Sequence, residues 1–402
     1  MNMRSMLCLL TPVICLMPAT YAQTAPSVDG APKHTRLPKP SASITMEFWG
    51  PRPVVQARVN GRGPYRFILD TGTSFAVVID KSIIEQLKLP AAPLLDAASI
   101  EPLLIDSITV GDAEFADVLA VPTDFGGGLG SDGRKLAGIL GMALFKNCLL
   151  TLDFPARKVL LESGRLNADD ANSMPLKEYD ISGGILMVAH TVAGQMINSH
   201  IDTGSPSVLT LLNKWRDKLP LIGEPRMVGR AYTPSGTVDL RQAVLNGVLK
   251  IGKHEFQNPK VNFADLGPMV TADCGNIGSG LLKDFTLIVD QKNRCVRLHR
   301  GSADANASAS PEPQKSDKPC RIGVAFHIEG DRWMVDDVIP GDPGDKAGLR
   351  TGDIILSLNG ESTGEIKRAD VGAAFRSPKP VKLKIQRDEK TMTLTLTPTP
   401  AD

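Results

Sequence analysis

The chain has 402 residues, 42% of them hydrophobic, enough for two to four ordinary domains and against wholesale disorder. Its 45 basic residues are balanced by 44 acidic ones, so no cationic surplus exists to neutralise a phosphate backbone, and nucleic-acid binding is not expected. Aromatics at 5% argue against a base-stacking or sugar-stacking surface, and 37 glycines with 30 prolines mark a loop-rich, mainly β protein.

Residues 1–22 read as a cleavable secretory signal: Arg4 supplies the positive start, Met6 to Met17 the short apolar run, and Ala22 the small residue before the cut. A secreted or periplasmic address is expected, with no membrane span, because no apolar run reaches the ~20 residues a spanning helix needs. Residues 23–43, rich in Pro, Ala and Ser, read as a flexible leader, and residues 301–319 as a linker. Four cysteines lie beyond the signal: Cys148, Cys274, Cys295 and Cys320. An oxidising compartment permits three full pairings of four cysteines, of which Cys274–Cys295 is the most local. No pair has C-x-x-C spacing and the six histidines are scattered, so neither metal nor cofactor is expected.

Between the leader and the linker the sequence repeats itself. YRFILDTGTS at Tyr65–Ser74 returns as INSHIDTGSPS at Ile197–Ser207, with Asp202 falling 132 positions after Asp70. AGILGMALFKNCLLTLDF at Ala137–Phe154 aligns with GNIGSGLLKDFTLIVDQ from Gly275, placing Gly138 on Gly275 and Asp153 on Asp290. SITVGDAEF at Ser107–Phe115 matches LKIGKHEF at Leu249–Phe256. One order of parts twice over predicts two similar lobes, residues 44–165 and 166–300. Each lobe reads as strands with a short helix after the D-T-G: one capped by Ser82 and stopped at Pro90, the other over Leu211–Leu219 and stopped at Pro220. Gly128-Leu-Gly130-Ser-Asp-Gly133 spells a dinucleotide fingerprint but leads into the downstream glycine block, so it reads as a mobile loop near the cleft.

A lone D-T-G is a turn after a strand. Here it occurs twice, each time after an extended run, before a hydroxyl residue (Thr73, Ser205) and ahead of a downstream glycine (Gly141, Gly278). These residues resemble the pepsin and retropepsin family of aspartic proteases, over about Ile44 to Arg300. The resemblance implies a bilobal acid-protease fold of two related β-barrel-like lobes, and one carboxylate from each lobe, Asp70 and Asp202, sharing a proton to hydrolyse peptide bonds. It also implies that Gly72 and Gly204 allow close approach and that Thr71 and Thr203 bond across the pair. Both lobes lie in one chain, so no oligomer is required for the site. Hydroxyl bonds from Thr73 and Ser205 to the outer carboxylate oxygens would lower the pair's pKa and give an acid-shifted optimum.

The repeat departs from the family in three ways. Phe75 to Gly138 lacks the flap tyrosine, His200 stands where the first copy has Ile68, and Asn276 where it has Ile139. Polar residues there mean either tuning or degeneration to an inactive peptide-binding adaptor.

The last segment, residues 320–402, resembles a PDZ domain. Its carriers are RIGVAF at Arg321–Phe326, VIPGDPGDKAGLRTGDIILSLNGE at Val338–Glu361 and the closing VKLKIQRDEKTMTLTL. The resemblance implies a small α+β module that takes an extended peptide C-terminus at Ile322, Gly323 and Val324, with Ala325 and Phe326 opening the pairing strand. A helix over Glu365–Phe375 would line the groove through Ala369 or Val371. Partners are therefore polypeptide substrates and peptide C-termini.

Overall fold

The computed structural model describes residues 30–38, 41–92, 102–124, 134–167, 172–177, 187–233, 236–265, 274–300, 320–329, 332–366, 371, 374–375 and 377–400. The signal, the 301–319 linker, the Gly128–Gly133 loop and Ala369 lie outside them. Strands dominate, as the composition and turn spacing predict.

The first lobe closes on itself. Arg52–Val59, Arg62–Asp70, Gly138–Gly141, Val77–Asp80, Ala113–Thr123 and Leu103–Val110 pair in that cyclic order and form a six-stranded barrel. Alternation sets its contents: Phe67, Leu69, Val77, Ile79 and Leu140 point into the core, while Ile68, Val78 and Ile139 point outward with Asp70. The Gly138–Gly141 strand runs parallel to Arg62–Asp70, opposing Gly141 to Asp70, and antiparallel to Val77–Asp80. The D-T-G turn therefore sits at the end of a strand locked on both flanks. Asp80, rather than Ser82, caps the Lys81–Leu87 helix, accepting from the Ser82 N–H at 3.0 Å, and Lys88 in the left-handed conformation ends it.

The second lobe repeats the plan. Gln195–Asp202 runs parallel to Cys274–Gly278, which pairs antiparallel with Leu209–Leu211. The hairpin corner Gly111 recurs as Gly252, both at φ +57°, and Asp117 at φ +54° recurs as Asn258 at φ +48°. At Asn258 and the N–H-less Pro259 the strand breaks into His254–Gln257 and Lys260–Phe263, so this lobe is more open than the first. The helix expected over Leu211–Leu219 is only a single 3₁₀ turn, Asn213–Trp215, because the strand runs to Leu211 and buried Trp215 pulls the turn tight. It is followed by a long hairpin, Leu221–Thr233 with Gly236–Leu245, which carries Tyr232 next to its tip opposite Thr237.

A six-stranded sheet joins the lobes. Leu149–Asp153 of the first pairs antiparallel with Thr286–Asp290 of the second, from Leu149 opposite Asp290 to Asp153 opposite Thr286, so Thr151 and Ile288 face each other at the centre. Lys158–Glu162 and Cys295–His299 flank this pair, and Ser41–Thr45 and Ser173–Pro175 form the two edges. The leader is thus strand, not coil, at Ser41–Thr45 and again at His34–Arg36, which pairs with the barrel strand at Phe115. Its Ser-Ala-Ser-Ile-Thr run alternates buried Ala42 and Ile44 with exposed neighbours. One continuous apolar core runs through both lobes.

The C-terminal module has its own core around Phe326, Trp333, Phe375 and Leu383, with Phe326 and Phe375 stacked at 5.5 Å. Its sheet runs Val324–Glu329, Arg332–Val338, Ile354–Leu358, Val381–Arg387, Lys390–Leu396. Asp353, almost fully buried, receives two bonds of 2.7 Å from Arg387. The four cysteines are buried and none of them forms a disulfide, and burial pushes Cys148 up to about 12.

Candidate active site

The two D-T-G turns meet at the lobe axis. Thr71 Oγ1 donates to the Ile201 carbonyl at 2.6 Å and accepts from the Thr203 N–H at 3.0 Å. Thr203 Oγ1 returns both bonds, to the Leu69 carbonyl at 2.6 Å and from the Thr71 N–H at 3.0 Å. Four buried bonds in two reciprocal pairs thus fix the spacing of the turns. A Cβ on Gly72 would lie 2.6 Å from the Asp202 Cγ, and one on Gly204 would lie 2.5 Å from the Asp70 Cγ. Only glycine lets each carboxyl rest against the opposite turn.

The carboxyl groups hydrogen-bond to one another, and both residues are buried. Their surroundings differ. Asp70 accepts three bonds: Gly72 N–H at 2.8 Å and Gly204 N–H at 3.2 Å on Oδ1, and the Thr73 hydroxyl at 2.8 Å on Oδ2. Asp202 accepts two: the Ser205 N–H at 2.9 Å on Oδ1, and Asn276 Nδ2 at 2.6 Å on Oδ2. The Ser205 hydroxyl, expected to mirror Thr73, has no partner, because Asn276 occupies the oxygen it would have served. Burial raises the Asp202 pKa, and the neighbouring Asp70 charge adds to the rise. The downward shift expected from hydrogen bonding is therefore overturned for this member. Two carboxyls in contact, one of them held protonated by burial, can activate a water and protonate a leaving group.

Two contributors differ in how visible they are from sequence. Asn276 stands out as a polar interruption of an apolar block. Arg52, in no motif, reaches from the first lobe to the Gly204 carbonyl at 2.6 Å while its guanidinium lies 4.8 Å from the Trp49 ring centroid. It pins the second turn from across the axis.

Residues 55–144 match a family model for aspartyl proteases, and residues 334–387 match one for PDZ domains. The chain carries an aspartyl protease domain and a PDZ domain. No curated protein matches it. The aspartyl protease match ends inside the first lobe, so the second lobe rests on the geometry above.

In the PDZ domain, Gly323 takes φ +64° beside Asp342, whose Cβ lies 2.3 Å from where a Gly323 Cβ would stand. Arg321 bonds Asp342 at 2.7 Å. Ile322, Val324, Ala325 and Phe326 are buried, and the Val324–Glu329 strand pairs on one side only among the described residues. That leaves an open sheet edge of the kind an added peptide strand completes. Val371, offered as a groove side chain, packs in the domain core instead. Among the described residues no helix is long and apolar enough to cross a membrane.

Proposed function

We propose that the chain is an exported aspartic endopeptidase whose PDZ domain binds peptide C-termini and so recruits substrates or regulates access. The observation that carries this reading is the contact of the Asp70 and Asp202 carboxyls across four reciprocal threonine bonds. Asp70, which accepts three hydrogen bonds, suits the ionised role and takes the proton from water as the oxygen attacks the carbonyl carbon. Asp202, kept protonated by burial, donates to the carbonyl oxygen. Collapse of the resulting diol breaks the C–N bond, and the proton held by the pair passes to the leaving nitrogen. Arg52 and Asn276 hold the second turn and its carboxyl in place for these transfers.

The test is incubation of the full chain without its first 22 residues with an unstructured protein from about pH 3 to 8, beside Asp70→Asn and Asp202→Asn. Cleavage lost in both variants is expected. No cleavage at any pH, or cleavage surviving both substitutions, overturns the protease reading in favour of an inactive adaptor. Export is tested separately by the N-terminus of the protein recovered from an exporting host, expected at Gln23.

A further inference from the structure

The lobes match in backbone but not in the chemistry of the face that carries the aspartates. Four outward positions can be paired by register. Ile68, two before Asp70, corresponds to His200, two before Asp202, and each stands beside the downstream block: Ile68 opposite Ile139, His200 opposite Asn276. Val78 opposes Ile139 in the first lobe as Thr210 opposes Asn276 in the second. Val121 lies beside Val78 as Asn262 lies beside Thr210. The first-lobe member is apolar in every pair and the second-lobe member polar.

Each side is organised. Ile68, Val78 and Ile139 cluster with Val54 and Leu136, and half-buried Trp49 and Phe75 pack against them, apart from the main core. On the other side Gln242 donates to Asn262 at 2.8 Å, Asn262 to Ser207 at 2.8 Å, and Asn276 to Asp202 at 2.6 Å. His200 and Gln242 are the partly buried members of this polar set. Asn276 Oδ1 and Thr210 Oγ1, on residues at least nine-tenths buried and opposite each other in register, have no partner. A buried acceptor and hydroxyl without partners beside a carboxyl pair are groups that a water or a hydrogen-bonding side chain reaching the site would satisfy.

We propose that the substrate site is chemically split across the lobe axis: the first lobe takes an apolar side chain on one side of the scissile bond, and the second takes an uncharged hydrogen-bonding side chain, an amide or a hydroxyl, on the other. This rests on the protease reading. The preference for an uncharged group follows from the surroundings: His200, Asn276, Thr210 and Asn262 offer no fixed charge, and burial pushes the His200 pKa down to about 4, so its ring stays neutral above that. A carboxylate placed there would meet the aspartate pair with no cation among these four residues to offset it.

The test is a cleavage profile of the full chain without its first 22 residues on a peptide library with amidated C-termini, which removes the carboxylate that a PDZ domain captures. Binding of the same library to Asp70→Asn is measured in parallel. A preference of at least about tenfold for an apolar residue on one side and Asn, Gln, Ser or Thr on the other is expected, since a site built to hydrogen-bond penalises partners that leave it unpaired. His200→Ile combined with Asn276→Ile, which copies the first lobe, should admit apolar residues on both sides. Equal preference for apolar residues on both sides in the unsubstituted chain, or a preference for acidic ones, overturns the proposal whether or not the double variant folds. If nothing is cleaved, the protease reading fails and the binding profile decides: the same asymmetry supports a split site, and its absence overturns it.

Discussion

Replacing Thr71 with valine keeps the shape of the side chain and removes one hydroxyl. That hydroxyl is bonded twice, to the Ile201 carbonyl at 2.6 Å and the Thr203 N–H at 3.0 Å, and both partners are buried and belong to the other lobe. Valine supplies neither a donor nor an acceptor, and the packed turn gives water little entry. Each stranded backbone group costs ~1–3 kcal/mol, so the substitution should cost about 2–6 kcal/mol. At roughly 2–4 °C per kcal/mol for a body of this size, the melting transition of the two-lobed unit should fall by about 10 °C. The PDZ domain has a separate core, so its transition should not move. Thr71→Ser retains the hydroxyl and should recover most of the loss. Thr203→Val, which strands the Leu69 carbonyl and the Thr71 N–H, should match Thr71→Val. Calorimetry on the four proteins measures this. A Thr71→Val melting point within about 1 °C of the parent, or a serine variant no better than valine, would refute the claim that these bonds join the lobes.

Gly204→Ala places a methyl 2.5 Å from the Asp70 Cγ and should abolish peptide cleavage by prising the carboxyls apart, read as kcat/KM on an unstructured substrate. Asp202→Asn should change how stability depends on pH. The folded pKa of Asp202, near 8, lies above its unfolded value, so its contribution is complete below about pH 4 and is lost as pH rises through 8. Denaturant melts at several pH values should therefore show a fall in stability from acid to mildly alkaline pH that is shallower in the asparagine variant; equal slopes would count against the shift. The same raised pKa keeps one proton on the pair up to near-neutral pH, so activity should persist to about pH 7 rather than vanish above pH 5. Arg387→Ala leaves the Asp353 carboxylate buried with only its bond from the Arg350 N–H and should destabilise the PDZ transition by about 3–5 kcal/mol, leaving the two-lobed transition in place.

Much of the architecture was legible because the repeat copies features with few physical solutions. A D-T-G packed against its twin admits no side chain at Gly72 or Gly204, so the motif is constrained residue by residue. The corner glycines Gly111 and Gly252 and the left-handed pair Asp117 and Asn258 keep the two hairpins in step. What the sequence hid depends on packing at a distance. Whether Ser205 or Asn276 serves the Asp202 oxygen is decided by which side chain reaches it first across the sheet, and the two lie 71 residues apart. Arg52 acts through a backbone carbonyl on the other lobe, a contact with no compositional trace. The strands at His34–Arg36 and Ser41–Thr45 were masked by neighbouring prolines, and only the waiting edges of the barrel and the joining sheet order them. Val371 has the apolar character of a groove residue and of a core residue alike, and only the domain core distinguishes them.

The sheet that stitches Leu149–Asp153 to Thr286–Asp290 has an evolutionary corollary. Were the halves two copies of one polypeptide, every residue would appear on both sides of the axis, and a histidine gained beside one aspartate would be gained beside both. A single chain lifts that obligation. The turns and the joining strands remain near-twins, since each must fit the other, while the faces between them are free to drift apart. Having both halves in one chain is thus what allows Ile68 and His200 to coexist, and with them the proposed site that would tell the two ends of a peptide apart.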